Sequence, residues 1–198
     1  MKISGRTFIA ILTILSIESV TITAMAKTEK QKYDVVHSEK DFEIRFYPSA
    51  ILATVYSDAN TYRELAYPGF RKLAGYIFGG NASETKISMT SPVHMDMNTA
   101  SMSFVMPSSF SEENLPKPDD PGVKIERTND EYVAAIRFGG YASDNDIKKY
   151  SERLKSLLES KGINWYGSFR YLGYNPPFQP FGRRNEIIVN VEWNPIKK

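Results

Sequence analysis

Cysteine is absent from this chain of 198 residues, and only two histidines are present. Without cysteine the protein has no disulfide, no thiolate metal site and no thiol nucleophile. The two histidines, His37 and His94, lie too far apart in sequence to form a closely spaced metal-binding pair. The sequence therefore excludes thiolate metal sites and thiol-based catalysis.

A large excess of charge of one sign is also missing. The 25 basic and 23 acidic side chains are mixed along the chain and leave a net charge of +2. Nucleic-acid-binding proteins usually carry a basic stripe, and this sequence has none. We therefore expect no nucleic acid among the partners of this protein.

Familiar catalytic motifs are missing as well. The chain has no Walker loop, no GxGxxG motif and no nucleophile elbow. Gly79-Gly80 follows an apolar helical pattern and does not precede one, so it does not form a phosphate-binding loop. Apolar residues at 41% and aromatic residues at 13% are typical of one packed globular domain. These observations favour a binding protein over an enzyme.

The first 26 residues have the pattern of a signal peptide. Lys2 and Arg6 are followed by a short apolar run from Phe8 to Ile17 and by the small-x-small sequence Ala24-Met25-Ala26. The alternative is an uncleaved membrane anchor, but ten apolar residues are short for a membrane span. We expect a mature domain at residues 27–198, exported, without stable membrane insertion, and periplasmic in a Gram-negative bacterium.

The stretch from Phe70 to Val93 contains a helix, a glycine stop and a strand. Pro68-Gly69 predicts an interruption just before this helix, and a Met-rich bend is expected at 94–97. Five apolar residues recur at i, i+3, i+4, i+7 and i+8 and so share one helical face: Phe70, Leu73, Ala74, Ile77 and Phe78.

The order of elements repeats about 81 residues later, in pseudo-repeats at about 33–106 and 123–193. With this shift Ile44 falls on Ile125, and Leu73 falls on Leu154. Each half is predicted to contain two strands, a helix and two strands, which is an α+β unit. Two units predict an eight-stranded curved sheet or distorted barrel flanked by two helices, with a ligand site between sheet and helix.

Four segments resemble one known family, the SOUL / haem-binding proteins. They are FEIRFY at 42–47, FRKLAGYIFGGN at 70–81, KISMTSPV at 86–93 and RNE at 184–186. The resemblance runs from about Tyr33 to Trp193. It implies a duplicated βαββ unit forming a distorted eight-stranded antiparallel barrel. It also implies non-covalent binding of haem or another tetrapyrrole, in a carrier or buffer role without known catalysis.

One position departs from the family pattern. Some members have a histidine, proposed as an iron ligand, where this chain has Phe46, and phenylalanine cannot bind iron. The remaining candidates for the axial position are His94, a methionine, a tyrosine or water. His94 is a weak candidate, because it would otherwise be an exposed surface side chain. The nearby methionines would otherwise fill gaps in the core.

The other candidate residues have one functional and one ordinary reading each. Leu73 and Ile77 would line an apolar groove, although they would be core residues without a ligand. Arg71 would bind a propionate, or lie on a solvated helix face. The full set of candidate ligand-binding residues is Phe46, Arg71, Leu73, Ile77, Met89, His94, Tyr174 and Glu186.

Glu186 supports an alternative function. A carboxylate within the last predicted strand, with Tyr174 or Tyr171 nearby, would serve as the general base of a small-molecule hydrolase on the same barrel. The ordinary reading is a carboxylate paired with a neighbouring arginine. A third possibility is a protein-interaction module without a ligand.

Overall fold

The structure is a computed structural model that describes residues 28–194, so the predicted signal peptide at 1–26 lies outside the described residues. Within these residues there are two helices, α1 (Tyr62–Ile77) and α2 (Asp144–Lys161). The strands are β1 (Glu29–Lys30), β2 (Asp34–Ser38), β3 (Glu43–Tyr47), β4 (Ile51–Tyr56), β5 (Thr90–Ser91), β6 (Val93–Asp96), β7 (Ser101–Val105), β8 (Val123–Arg127), β9 (Glu131–Phe138), β10 (Trp165–Gly173) and β11 (Asn185–Val191).

Nine of these strands form one antiparallel sheet in the order β2-β3-β9-β11-β10-β6-β7-β4-β8. The two short strands β1 and β5 pair with each other in parallel. The α+β class is therefore confirmed. The eight-stranded barrel is not: β2 adds a ninth strand beside β3, and in the described part of the chain no hydrogen-bonded ladder joins the end strands β2 and β8.

The strand order is unchanged when the two halves of the chain are exchanged. When β3, β4, β6 and β7 are exchanged with β8, β9, β10 and β11, respectively, the order of these eight strands in the sheet is the same, read from the opposite end. The register follows the same rule, because Ile44 of the first half pairs with Ala134 of the second, and Ile125 of the second half pairs with Ala53 of the first. The two helices consequently occupy corresponding places, α1 over β7 and β4 and α2 over β11 and β9.

Helix α1 is continuous through the predicted interruption. It begins after Thr61, whose side chain accepts a hydrogen bond from the backbone N–H of Glu64, and Pro68 lies inside the helix. Leu65 and Gly69, on either side of Pro68, are both buried against the sheet. A Cβ added at Gly69 would lie 3.3 Å from the Cβ of Met102 on β7, so tertiary packing holds the helix where local propensity disfavours it.

The two faces of the sheet have different partners. The face that carries Ile44, Ile136 and Ile187 packs against both helices and contains the main core. The opposite face has a small separate apolar cluster, and polar side chains surround it. The cluster consists of Tyr47, Val133, Ala135, Leu172 and Ile188, with Tyr33 and Tyr174 beside it. We call the two sides the helix face and the polar face.

The predicted bend at 94–97 is largely a strand. Val93–Asp96 form β6, which pairs with β10 and β7. Successive side chains of a strand point to opposite sides, so Met95 joins the core on the helix face and His94 lies on the polar face opposite Leu172. Strand geometry thus separates two neighbours that the sequence placed in one bend.

Candidate functional site

The buried face of α1 leaves no open groove at Leu73 and Ile77. Both side chains are fully buried in the main core, where they pack against the helix face of the sheet. The buried residues of α1 are Leu65, Gly69, Leu73, Tyr76 and Ile77. The predicted core face therefore differs at two positions, since Phe70 and Phe78 are exposed.

A second apolar stripe runs along the side of α1. It consists of Tyr67, Phe70, Ala74 and Phe78, which follow one another at i, i+3, i+7 and i+11. Tyr67 is 72% exposed, Phe78 65% and Phe70 39%, while Ala74 is half-buried. Three large aromatic side chains thus share one exposed side of the helix, and exposed apolar side chains grouped in this way are typical of an interaction site. We call it the aromatic flank.

Contacts of α1 show which way the aromatic flank faces. On the other side of the helix, the hydroxyl of Tyr76 donates a hydrogen bond of 2.8 Å to the carbonyl of Pro116, in the segment before β8. The aromatic flank therefore faces away from β8, towards β6 and β10. The ring of Phe70 contacts Phe104 on β7, the strand that lies between β4 and β6 in the sheet.

Two arginines border the aromatic flank. Arg63 and Arg71 lie four residues before and four residues after Tyr67, and both are exposed. Residues four apart on a helix are neighbours on its surface, so both guanidinium groups accompany the phenol ring. An exposed guanidinium binds carboxylate in a two-pronged arrangement. This part of α1 can therefore bind a flat apolar molecule that carries carboxylates.

Three of the predicted site residues lie elsewhere. Met89 is half-buried beside the main core. Phe46 packs on Tyr132, with ring centroids 5.2 Å apart, on strand β3, and four strands separate β3 from β7. His94 lies on the polar face, where its Nε2 is 2.7 Å from Oε1 of Gln31. Leu73 and Ile77 thus share no surface with Phe46 or His94.

His94 is held as a neutral imidazole. Burial, with a smaller contribution from the charge of Arg170, lowers the pKa of His94 to about 3. A neutral imidazole is chemically able to bind a metal, but the helix face and the polar face are separated by the sheet. The structure therefore does not bring His94 to the aromatic flank.

Glu186 is at the centre of a buried ionic cluster on the polar face. Arg45 donates to both carboxylate oxygens, at 2.7 and 3.1 Å, and Arg184 donates to one of them at 2.9 Å. The hydroxyl of Tyr174 donates to the carboxylate at 2.7 Å. Arg45 also lies over the ring of Tyr33, 4.3 Å from its centroid. Glu186 and Tyr174 are thus in contact, as predicted. Glu186 is also paired with arginines, as expected for a structural carboxylate.

This cluster leaves no accessible base. Burial alone would raise the pKa of Glu186, but the hydrogen bonds and charge of Arg45 outweigh it, and the pKa is lowered. Burial raises the pKa of Tyr174 well above its usual value. The Glu186 side chain is fully buried, so a substrate cannot reach it without breaking the cluster. No observation here favours the hydrolase alternative.

A second exposed aromatic group lies on the loop between β10 and β11. Phe178 and Phe181 are 82% and 84% exposed. Arg183 holds this loop by donating to the carbonyls of Pro176 and Gln179 at 2.7 and 2.9 Å, and its guanidinium lies over the ring of Tyr141. The two phenylalanines are therefore presented by an internally bonded loop.

Residues 28–194 contain no group of three or more His, Asp or Glu side chains that would bind a metal ion. Neither helix in this range is long and apolar enough to cross a membrane.

The family model described as SOUL heme-binding protein matches residues 28–190, nearly the whole described domain. The chain belongs to the SOUL heme-binding protein family. Among its relatives is heme-binding protein 1 of Mus musculus, 32% identical over 59% of this chain and 66% of the relative. The Sus scrofa protein of the same name is 27% identical over 87% of this chain and 92% of the relative.

Solved structures with a similar fold are more distant from this SOUL protein in sequence. The C-terminal domain of EcmrR has a TM-score of 0.54 and 12% identity, over 81% of this chain and 98% of that one. A hydrolase from Listeria innocua has a TM-score of 0.50 and 13% identity, over 90% and 98%. At such low identity these similarities establish the fold alone.

Sequence reasoning missed most of the aromatic flank. The apolar pattern predicts Phe70 and Phe78 on the core face, and Tyr67 falls before the predicted interruption at Pro68. The signal was nevertheless present, because a helix continued through Pro68 shows the spacing i, i+3, i+7 and i+11 from Tyr67. Arg71 is the predicted site residue that borders this surface.

Proposed function

We propose that this SOUL family protein binds haem non-covalently against the aromatic flank of α1. The observation that carries the proposal is an exposed row of Tyr67, Phe70 and Phe78 bordered by guanidinium groups, in a chain of this family. Its relatives are named heme-binding proteins. A porphyrin has two apolar faces and two propionates, which match an aromatic surface with arginines at its border.

Burial of apolar area supplies most of the binding energy. Each Å² of apolar surface removed from water contributes about 25 cal/mol, so one porphyrin face against three aromatic rings gives appreciable affinity. The aromatic flank is already exposed, and its helix is held by buried residues below, so little reorganisation is needed. The role that suits an open, reversible site of this kind is a carrier or buffer and not an enzyme.

The test is a haem titration of residues 27–198, followed by the Soret band. The double variant Phe70→Ser/Phe78→Glu places on α1 the residues found 81 positions later on α2, and we expect it to weaken haem binding at least tenfold. The matched control is Lys148→Ala/Glu159→Ala on α2, which should bind haem like the wild type. Wild-type affinity in the α1 variant would refute the site.

We also propose that the chain is exported and cleaved near Lys27, and works in the periplasm if the source is a Gram-negative bacterium. The proposal rests on the pattern of Lys2, Arg6, the apolar run and Ala24-Met25-Ala26. Fractionation of cells and N-terminal sequencing would test it. Full-length protein that still begins at Met1 in the membrane fraction would contradict it.

We propose, finally, that the two halves derive from one duplicated βαββ unit. The strand order that is unchanged by exchange, and the equivalent pairings of Ile44 with Ala134 and of Ile125 with Ala53, support this origin. The experimental test is whether Leu73→Ala and Leu154→Ala, at equivalent buried positions, lower the free energy of unfolding equally.

A further inference from the structure

Haem iron takes its axial ligand from histidine, methionine, cysteine or tyrosine, and this chain restricts the choice. Cysteine is absent. His94 lies on the polar face against Gln31, and His37 lies on β2 with its Nε2 3.0 Å from Glu39. Both histidines are therefore held away from the aromatic flank of α1.

Tyr67 is the tyrosine that the fold places on this flank. Four tyrosines in residues 28–194 are largely exposed, and Tyr67 is the most exposed of them. The other three lie on β4, on β10 and just before α2: Tyr56, Tyr166 and Tyr141. Tyr67 alone among these four has aromatic neighbours at i+3 and i+11 on the same helix, Phe70 and Phe78. Of these four phenol oxygens, the one on Tyr67 therefore lies on the aromatic flank that would hold the porphyrin.

Two guanidinium groups accompany Tyr67 on the same side of α1. Arg63 and Arg71 lie at i−4 and i+4 from it, and both are exposed. These groups would bind the propionates, so one row of three side chains would hold both the metal and the carboxylates.

We propose that Tyr67 is the axial ligand of ferric haem in this protein, an inference that rests on haem binding at the aromatic flank. The phenol releases its proton to solvent, and its oxygen forms the bond to Fe(III) in place of a water molecule. The oxidation state of the iron does not change in this step. Phenolate is a hard donor that prefers Fe(III), so the ligand selects oxidised haem.

Tyr67→Phe provides the test, because it keeps the ring and removes only the oxygen. Ferric haem and metal-free protoporphyrin are titrated into the wild type, into Tyr67→Phe and into the control Tyr166→Phe, which removes an exposed phenol from β10. We expect Tyr67→Phe to weaken haem binding about tenfold and to change protoporphyrin binding less than twofold. The phenolate-to-iron charge-transfer band of the wild type should disappear, while the control should keep it.

The outcomes separate the ligand from the site. Wild-type protein that binds neither haem nor protoporphyrin overturns the proposed function, and the ligand assignment with it. Haem that binds Tyr67→Phe with unchanged affinity and an unchanged visible and electron paramagnetic spectrum overturns the ligand assignment alone. Tyr67→His provides a positive check, since an imidazole at this position should restore affinity and give the spectrum of a nitrogen-ligated haem.

Discussion

Helices α1 and α2 occupy corresponding places in the two halves of the protein, but their exposed sides differ in chemistry. The buried sides agree: Leu73 and Ile77 on α1 correspond to Leu154 and Leu158 on α2, and all four are buried. The aromatic flank has no counterpart. The residues 81 positions after Tyr67, Phe70, Ala74 and Phe78 are Lys148, Ser151, Lys155 and Glu159.

The charged side of α2 is an ordinary solvated surface. Lys155 and Glu159 form an i,i+4 pair with 3.9 Å between their charged atoms, and Lys155 lies 5.8 Å from the ring of Trp165 on β10. Contact with β10 shows that this side of α2 faces the same strip of sheet as the aromatic flank of α1. The same structural position therefore carries charged side chains in one half and aromatic rings in the other, a difference that the proposed haem site on α1 would explain.

The largest expected effect concerns what the helices share. Leu73→Ala and Leu154→Ala should each lower the free energy of unfolding by about 2–5 kcal/mol, because each leaves a cavity under its helix. Urea denaturation measures both. If one change is costly and the other leaves the midpoint where it was, the two positions are not equivalent and the comparison of halves fails.

The second test separates the two faces of the first half. The pKa of His94 lies near 3 in the fold and at 6.5 in an unfolded chain, so the unfolded state binds a proton first as the pH falls. Stability from this group is complete above pH 6.5 and decreases below it, by about 2 kcal/mol between pH 7 and pH 5. Urea denaturation at both values measures this decrease.

His94→Gln should remove this part of the pH dependence and leave haem affinity at pH 7 unchanged, because His94 is on the polar face. A loss of haem affinity of more than tenfold in this variant would instead place the haem on the polar face, beside His94.

The third test exchanges one charge on each helix. Arg71 on α1 corresponds to Glu152 on α2, and both are exposed. Arg71→Glu should weaken haem binding about tenfold, about 1.4 kcal/mol, because a carboxylate repels the propionates. Glu152→Arg should have little effect. The loss should shrink as salt is added, since exposed charges are screened, and titrations at low and high salt check this. Equal losses in both variants would remove the distinction between the helices.

The smallest effect is expected at the loop between β10 and β11. Phe178→Ser/Phe181→Ser removes two exposed rings without disturbing the Arg183 bonds that hold the backbone. The loop lies near the N-terminal ends of both helices. The hydroxyl of Tyr141 donates to the carbonyl of Pro177 in the loop, and three residues further on Asp144 accepts from the backbone N–H of Tyr62 at the start of α1. Because the loop lies at this end of α1, the double variant should weaken haem binding by a few-fold. A loss larger than that of the α1 double variant would move the main site to the loop.

The sequence by itself determined the α+β class, the family and the paired buried positions of the helices. These follow from residues whose spacing is local, such as Leu73 with Ile77 and Leu154 with Leu158. The same spacing does not show whether Leu73 lines an open groove or lies in the core, because both kinds of position have the same apolar pattern.

Only the tertiary structure decided which apolar surface stays uncovered. Helical spacing shows that Phe70 and Phe78 share a side with Tyr67, but neighbouring strands determine whether that side is buried, and β7 and β4 cover only the side with Leu73. Strand register likewise decided that His94 and Met95 face opposite ways. The open nine-stranded sheet and the ion pair that buries Glu186 both depend on long-range pairing. Arg45 and Glu186 lie 141 residues apart, so neither feature has a local signal in the sequence.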